Sequence, residues 1–346
     1  MTQAARIIRH SAGAAALLLV SLCVVTLAVG ISVGIGDLPI PLRTTLLAVT
    51  NKLGWTAVPL NRIHETVIWD YRLSRALVAA FCGAGLALSG AIMQSLLRNP
   101  LAEPYVLGIS AGASTGAVAI VILGLGAGTV SLSAGAFAGA FAAFLFVALL
   151  SNGTRGGADR TILAGVAASQ LFNAATSYIV TTSGNAQQAR DVMFWLLGSF
   201  GGVRWPELAL VSVVTGMGLV VCLLHARILD AFAFGDEAAS ALGVHVGRAR
   251  VILFAITATM TATIVSMVGS IGFVGLVVPH AARFLVGPLH SRLLPAVAIA
   301  GAIFMVAADI ASRTLVPQQV LPIGVVTALV GVPFFSLILY RFQRAS

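Results

Sequence analysis

Lysine is almost missing from this chain. Lys52 stands alone among 20 basic residues, and only 11 residues are acidic. A phosphate-binding loop ends in GxxxxGK[ST]. No such string surrounds Lys52, so the chain carries no loop of that kind for ATP. Charged residues of both signs amount to 9%, against about 25% in an ordinary soluble domain. That is too few to cover a water-facing surface. Cysteine is scarce as well. Cys23, Cys82 and Cys222 lie inside apolar runs, without CxxC or metal-type spacing. Each reads as a small hydrophobe, and no disulfide is expected. Catalytic groupings are also missing. "HETVI" at 64–68 lacks the second histidine of HExxH, and no two acids face each other within an apolar run. These gaps disfavour a membrane enzyme and a carrier driven by several buried titratable groups.

What is present is apolar: 59% of the 346 residues are hydrophobic. The chain reads as an all-α polytopic membrane protein, a single integral membrane domain over 1–346. A span needs about 20 mainly apolar residues. Ten segments meet that pattern, at about 12–33, 73–97, 105–124, 130–150, 160–182, 207–226, 250–268, 272–286, 295–314 and 321–341. The eighth is short and contains Pro279, His280 and Arg283, and the fifth runs into the mixed stretch 181–202, where a break is expected. The first run exceeds a signal-peptide core and is expected to stay as a span. Ten spans put both termini on one side. With that side taken as cytoplasmic, twelve of the 20 basic residues fall inside and eight outside, which follows the positive-inside bias but leaves an unusually basic outer face. The net charge of +9 is scattered between spans, not gathered into a nucleic-acid stripe.

Thirty-six glycines supply the packing chemistry. Gly108–Gly112, Gly112–Gly116 and Gly135–Gly139 are GxxxG pairs, which let helix backbones approach closely in lipid. Asp309 is the one acid well inside a clear apolar run. Arg313, one turn on, is placed to neutralise it. His280 admits two readings, a metal or heme ligand or a hydrogen-bonded core histidine.

The stretch "FAFGDEAASALGVHVGRAR" (232–250) is a polar island. Gly235 ends what precedes it. Asp236 is a good N-cap, and Asp236 with Glu237 suits the positive end of a helix dipole. Ala238, Ala239, Ala241 and Leu242 favour helix, and Gly243 fits a left-handed stop. Two turns of helix are not stable alone in water, so this one needs a docking surface. Arg248 and Arg250 are expected at lipid headgroups beyond it.

Four stretches occur together: "YRLSRALVAAFCGAGLALSGAIMQSLLRNPLAEPYVLGISAGAS" (71–114), the island just quoted, "GSIGFVGLVVPHAARF" (269–284) and "LPIGVVTALVGVPFF" (321–335). On these the chain resembles, over about 60–342, the permeases that import iron–siderophore complexes, heme and cobalamin in ATP-driven transporters. The resemblance implies a homodimer with ten spans per copy and the substrate path on its two-fold axis. It also implies two cytoplasmic ATPase subunits that hold the ATP and Mg, and a soluble binding protein outside. Arg72, Arg75 and Arg313 match arginines that grip acidic residues of the binding protein. Asn99 and Leu101 match one half of a cytoplasmic gate, and Ala158 and Asp159 the other half, where similar proteins carry small hydroxyl residues. Gly235, Asp236, Glu237, Ala238, Ala239, Leu242 and Gly243 match a coupling helix, at about 230–245 between the sixth and seventh spans, that seats on the ATPase. The expected location is the bacterial inner membrane with both termini cytoplasmic. The expected cargo is a large iron chelate, heme or ferric siderophore, with cobalamin as the alternative within the family and a secondary carrier as the alternative outside it. No cofactor or metal of the chain's own is implied.

Overall fold

The computed structural model describes residues 20–36, 38–125, 130–151 and 158–343. Residues 12–19 of the first expected span and 155–157 of the gate loop lie outside the described residues. The helices, in order, are α1 (Val20–Gly34), α2 (Leu42–Lys52), α3 (Arg62–Thr66), α4 (Ser74–Leu96), α5 (Ile109–Val121), α6 (Leu132–Leu150), α7 (Ala158–Ser183), α8 (Ala186–Leu196), α9 (Trp205–Leu224), α10 (Ala226–Phe232), α11 (Asp236–Ala241), α12 (Val246–Val268), α13 (Val274–Val286), α14 (His290–Thr314) and α15 (Ile323–Gln343). Among the described residues, six helical segments are long and apolar enough to cross a membrane, and four shorter apolar helices join them. Each of the ten expected segments overlaps one of these helices.

One boundary differs clearly from expectation. The second span starts earlier, because α3 runs through a π-helical segment, Val67–Leu73, into α4. The fifth span breaks as expected: α7 stops at Ser183, and Asn185 starts α8 with a reciprocal capping box to Gln188. The seventh and eighth spans are parted by a non-helical link at 269–273 that ends on Phe273 in the left-handed region (φ 69°).

Helix α4 is the hub, and its small residues explain why. A Cβ added at Gly83 would strike the Gly301 backbone of α14, and one at Gly90 would strike the Gly275 backbone of α13. At Gly85 it would lie 2.7 Å from Ile264 of α12 and 2.9 Å from Thr215 of α9. Four helices therefore pack on one. The GxxxG pairs find each other: Gly112 sits on Gly139 and Gly116 on Gly135, joining α5 to α6 at backbone contact. The outward faces of α6, α7 and α9 remain apolar and exposed, with Leu149, Leu163, Tyr178, Met217 and Leu224 among them.

Helices α4 and α14 run antiparallel. Arg75 near the start of α4 meets Asp309 near the end of α14, and Ser95 near the end of α4 meets His290 at the start of α14. At 1.5 Å per residue the 25 residues of α14 span roughly 37 Å, so these two contacts mark opposite ends of the bundle.

Candidate functional site

At one end sit the three arginines singled out in the sequence. Arg75 binds Asp309 through Nε at 2.8 Å and Nη2 at 2.7 Å. Arg313 reaches the other oxygen of Asp309 at 3.0 Å, the expected i,i+4 pair. The second arginine on Asp309 was not foreseen, since it lies 234 residues away in sequence. Arg313 also donates to the Ser32 hydroxyl at 2.8 Å and the Ile35 carbonyl at 2.6 Å. Arg72 donates to the carbonyls of Val33 and Leu38. The cluster thus lies against the link between α1 and α2. Asp309 is fully buried and Arg72 nearly so. Aromatic side chains frame this end: the Trp69 and Trp205 rings lie 4.7 Å apart, and the Arg204 guanidinium sits 4.0 Å over Tyr71, a cation–π contact.

At the other end is the polar island, which folds as expected in outline. Gly235 has φ 98° and Gly243 φ 82°, values that suit glycine. The helix stops in a Schellman motif: Gly243 N–H donates to Ser240 C=O and Val244 N–H to Ala239 C=O. Two expectations need correction. Asp236 is the first helical residue, Gly235 being the N-cap, and no side chain caps the helix. Its carboxylate instead holds Arg250 through both oxygens, at 2.9 and 3.0 Å. Arg250 is buried and does not reach outward to headgroups. A short helix needs a tether, and this pair fastens α11 onto α12. Glu237 stays exposed, as do Leu242 and Phe234. Behind the helix, Leu242, Val244, His225 and Arg248 help line an open groove of about 430 Å³.

The turn after α4 shares this end. Asn99 Oδ1 accepts from Leu101 N–H at 2.9 Å, fixing the "RNPL" turn, and Leu101 is exposed. Ala158 packs on the cluster that includes Met93, Leu97 and Ala102, and Asp159 is exposed beside it. Asn99 and Leu101 thus sit in one turn, while Ala158 and Asp159 open α7, with Ala158 against the apolar cluster that flanks that turn. A Cβ on Gly235 would come 3.2 Å from the Arg98 guanidinium, so the island and the turn are neighbours.

Between the ends, two of the quoted stretches clasp each other. The Tyr105 hydroxyl donates to Ile271 C=O and accepts from Ile271 N–H, both at 3.0 Å, and Ser110 donates to Ser270 at 2.9 Å. Glu103 accepts from the backbone of Phe273. Burial pushes its carboxyl above the ordinary range, and that hydrogen bond opposes the rise. Gln94 donates to the carbonyls of Gly275 and Leu276 and accepts from Arg283. Arg283 is thereby held by a side chain of α4. His280 stacks edge-on with Phe284, ring centroids 5.2 Å apart.

Residues 22–341 match the model of the FecCD transport family. The chain belongs to that family. Among its relatives, the hemin transport permease of Yersinia pestis is 37% identical over 322 residues, covering 92% of each chain. A cobalamin import permease of Halobacterium salinarum is 39% identical over 305 residues, 88% of this chain and 80% of the relative. An iron(3+)-hydroxamate permease of Bacillus subtilis is 34% identical over 338 residues, 96% and 85%. The fold matches an inward-facing metal-chelate type ABC transporter with TM-score 0.82 and 30% identity, over 94% of this chain and 99% of that one. As a FecCD member the chain is an ABC-importer permease, a component that is not itself catalytic.

Sequence reasoning missed several polar residues of this permease. Asp230 and His290 pair at 2.6 Å, and the Gln94–Arg283 contact links two helices. Neither pair shares a helical spacing, and contacts 60 and 189 residues apart leave no local signal.

Proposed function

We propose that this FecCD permease works as a homodimer that carries a large iron chelate, heme or a ferric siderophore, across the bacterial inner membrane. The free energy comes from ATP and Mg on two partner ATPase subunits beneath it, and a soluble binding protein delivers the chelate outside. The observation that carries this reading is the placement of two candidate contact surfaces at opposite ends of the α4–α14 pair. The basic cluster of Arg72, Arg75 and Arg313 is one. The exposed side of α11, with Glu237 and Leu242, is the other. A partner outside and a partner inside need that separation. Both termini then lie on the α11 side, in the cytoplasm, and Asn99, Leu101, Ala158 and Asp159 close the path at that end.

The relatives at 34–39% identity are named for hemin, hydroxamate and cobalamin alike, so identity favours none of them and cobalamin stays the second reading. The test is uptake into vesicles holding the permease, its ATPase and its binding protein, with hemin, a ferric hydroxamate and cobalamin offered in turn. Accumulation of one iron chelate that requires internal ATP supports the proposal. Accumulation that follows a proton gradient without ATP overturns it, and accumulation of cobalamin alone moves the cargo to the second reading.

A further inference from the structure

The α11 end holds a chain of hydrogen bonds that joins three elements. Ser95 Oγ lies 2.6 Å from His290 Nε2, and His290 Nδ1 lies 2.6 Å from Asp230 Oδ1. The same Asp230 oxygen accepts the His290 backbone N–H at 2.9 Å. Ser95 is the last residue but one of α4, Asp230 belongs to α10, and His290 opens α14. His290 is buried. The chain has the residue types of a hydrolytic triad, but it lies where three helix ends meet and Ser95 Oγ also bonds the Ala91 carbonyl. Its geometry is that of a joint.

Its position gives the joint a use. Helix α10 precedes α11 by only Ala233, Phe234 and Gly235. Leu229 and Phe232 on α10 are fully buried in the main core, so α10 is wedged in the bundle while α11 presents exposed residues to its surroundings. A push on α11 therefore reaches α10 through a short backbone link. From α10 the polar route inward is Asp230 to His290 to Ser95, onto α14 and α4 together. Those two helices are pinned in the middle by backbone contact at Gly83 and Gly301, and at the far end by Arg75 and Asp309. A pair fixed at both ends and in the middle moves as one body. Discrete polar contacts on rigid elements are the kind of connection through which distant sites couple.

We infer that Asp230, His290 and Ser95 form the mechanical joint that transmits displacement of the coupling helix to the α4–α14 pair, with His290 as its central positioning residue. The inference rests on the reading of α11 as the ATPase-contacting helix. The joint needs no proton transfer and no ligand. Asp230 orients the imidazole, and the imidazole ties Ser95.

The experiment uses the complete transporter in vesicles, with whichever of hemin, a ferric hydroxamate or cobalamin the unaltered complex accumulates. The readout is ATP hydrolysed per molecule taken up, beside the amount of ATPase subunit that co-purifies. His290→Ala is expected to leave ATPase binding unchanged and to raise the ATP used per molecule at least about tenfold. His290→Asn, which keeps a donor for Asp230 and loses the reach to Ser95, should fall between. Because the three residues act as a unit, Asp230→Ala combined with His290→Ala should cost no more than the worse single change. A wild-type ratio in His290→Ala, or losses that simply multiply in the double variant, overturns the joint. If His290→Ala does not accumulate in the membrane, His290→Asn and Asp230→Asn decide by the same ratio. Failure of the underlying reading looks different: Glu237→Lys with Leu242→Asp would then leave ATPase binding untouched.

Discussion

Asp309 is the residue whose loss should cost most at the arginine cluster. It is fully buried and faces two arginines whose side chains are only 14% and 10% exposed. Replacing it with alanine takes the shared carboxylate away from two cations in a setting of low dielectric. Breaking a buried ion pair by removing one partner costs about 3–5 kcal/mol. Removing Arg313 instead leaves Asp309 still gripped by Arg75 at 2.7–2.8 Å, so that loss should be smaller. With an unfolding entropy of about 2.1 cal/mol/K per residue, 346 residues give roughly 0.7 kcal/mol/K, and Asp309→Ala should lower the melting temperature by about 4–7 °C. Asp309→Asn keeps an acceptor oxygen and should lie between that and wild type. The assay is thermal loss of the monodisperse peak in detergent, at fixed salt, for Asp309→Ala, Asp309→Asn and Arg313→Ala. An Arg313→Ala variant less stable than Asp309→Ala would refute the reasoning, because it would mean that the acid does not serve both arginines.

Gly90→Ala should fold poorly, since its Cβ would strike the Gly275 backbone, and overpacking of this kind costs about 1–3 kcal/mol; yield and melting temperature check it. Glu237→Lys with Leu242→Asp should release the ATPase subunit on co-purification and leave the permease as stable as before, because both side chains are exposed. Gly36→Ala places a Cβ 2.6 Å from the Arg72 guanidinium and should displace that side chain, changing binding-protein affinity and its salt dependence with little change in melting temperature.

The architecture was legible because membrane spans announce themselves by composition. Leu132–Leu150 and Trp205–Leu224 need no partner to be recognised. GxxxG spacing also revealed Gly112 and Gly116 as contact points, since only a missing side chain permits such approach. The polar island was legible in outline for the same local reason: Gly235 and Gly243 fix the ends of a short helix through their own backbone angles. What local spacing cannot supply is the partner of a long side chain. Asp236 and Glu237 look equivalent in sequence, yet one faces Arg250 and the other faces outward. A rotation of about 100° per residue separates neighbours on a helix, and which of them points to α12 depends on docking. The π-helical segment was hidden too. It contains Trp69 and Arg72, whose partners are distant in sequence, and its residues have no spacing of their own.

Burial of the three arginines bears directly on the docking proposed for them. A guanidinium that bonds a carbonyl keeps its charge, because a carbonyl dipole does not neutralise it. Within the cluster Arg75 and Arg313 share Asp309, so one acid answers two of its arginines. Electrostatic steering depends on the summed charge of the face, and it acts over about 8 Å at physiological ionic strength. A surplus of positive charge there attracts a partner rich in acids before any arginine turns outward. Short-range contact then asks for an exchange. The carbonyls of Val33, Leu38 and Ile35 can be traded for carboxylates at small net cost, since a carboxylate brings the full opposite charge that a carbonyl dipole lacks. The bonds from Arg75 and Arg313 to Asp309 offer no such gain, because one carboxylate would merely replace another. The carbonyl bonds of Arg72 and Arg313 are thus the ones an acidic partner can draw off first, and the α1–α2 link is the segment that their loss would loosen.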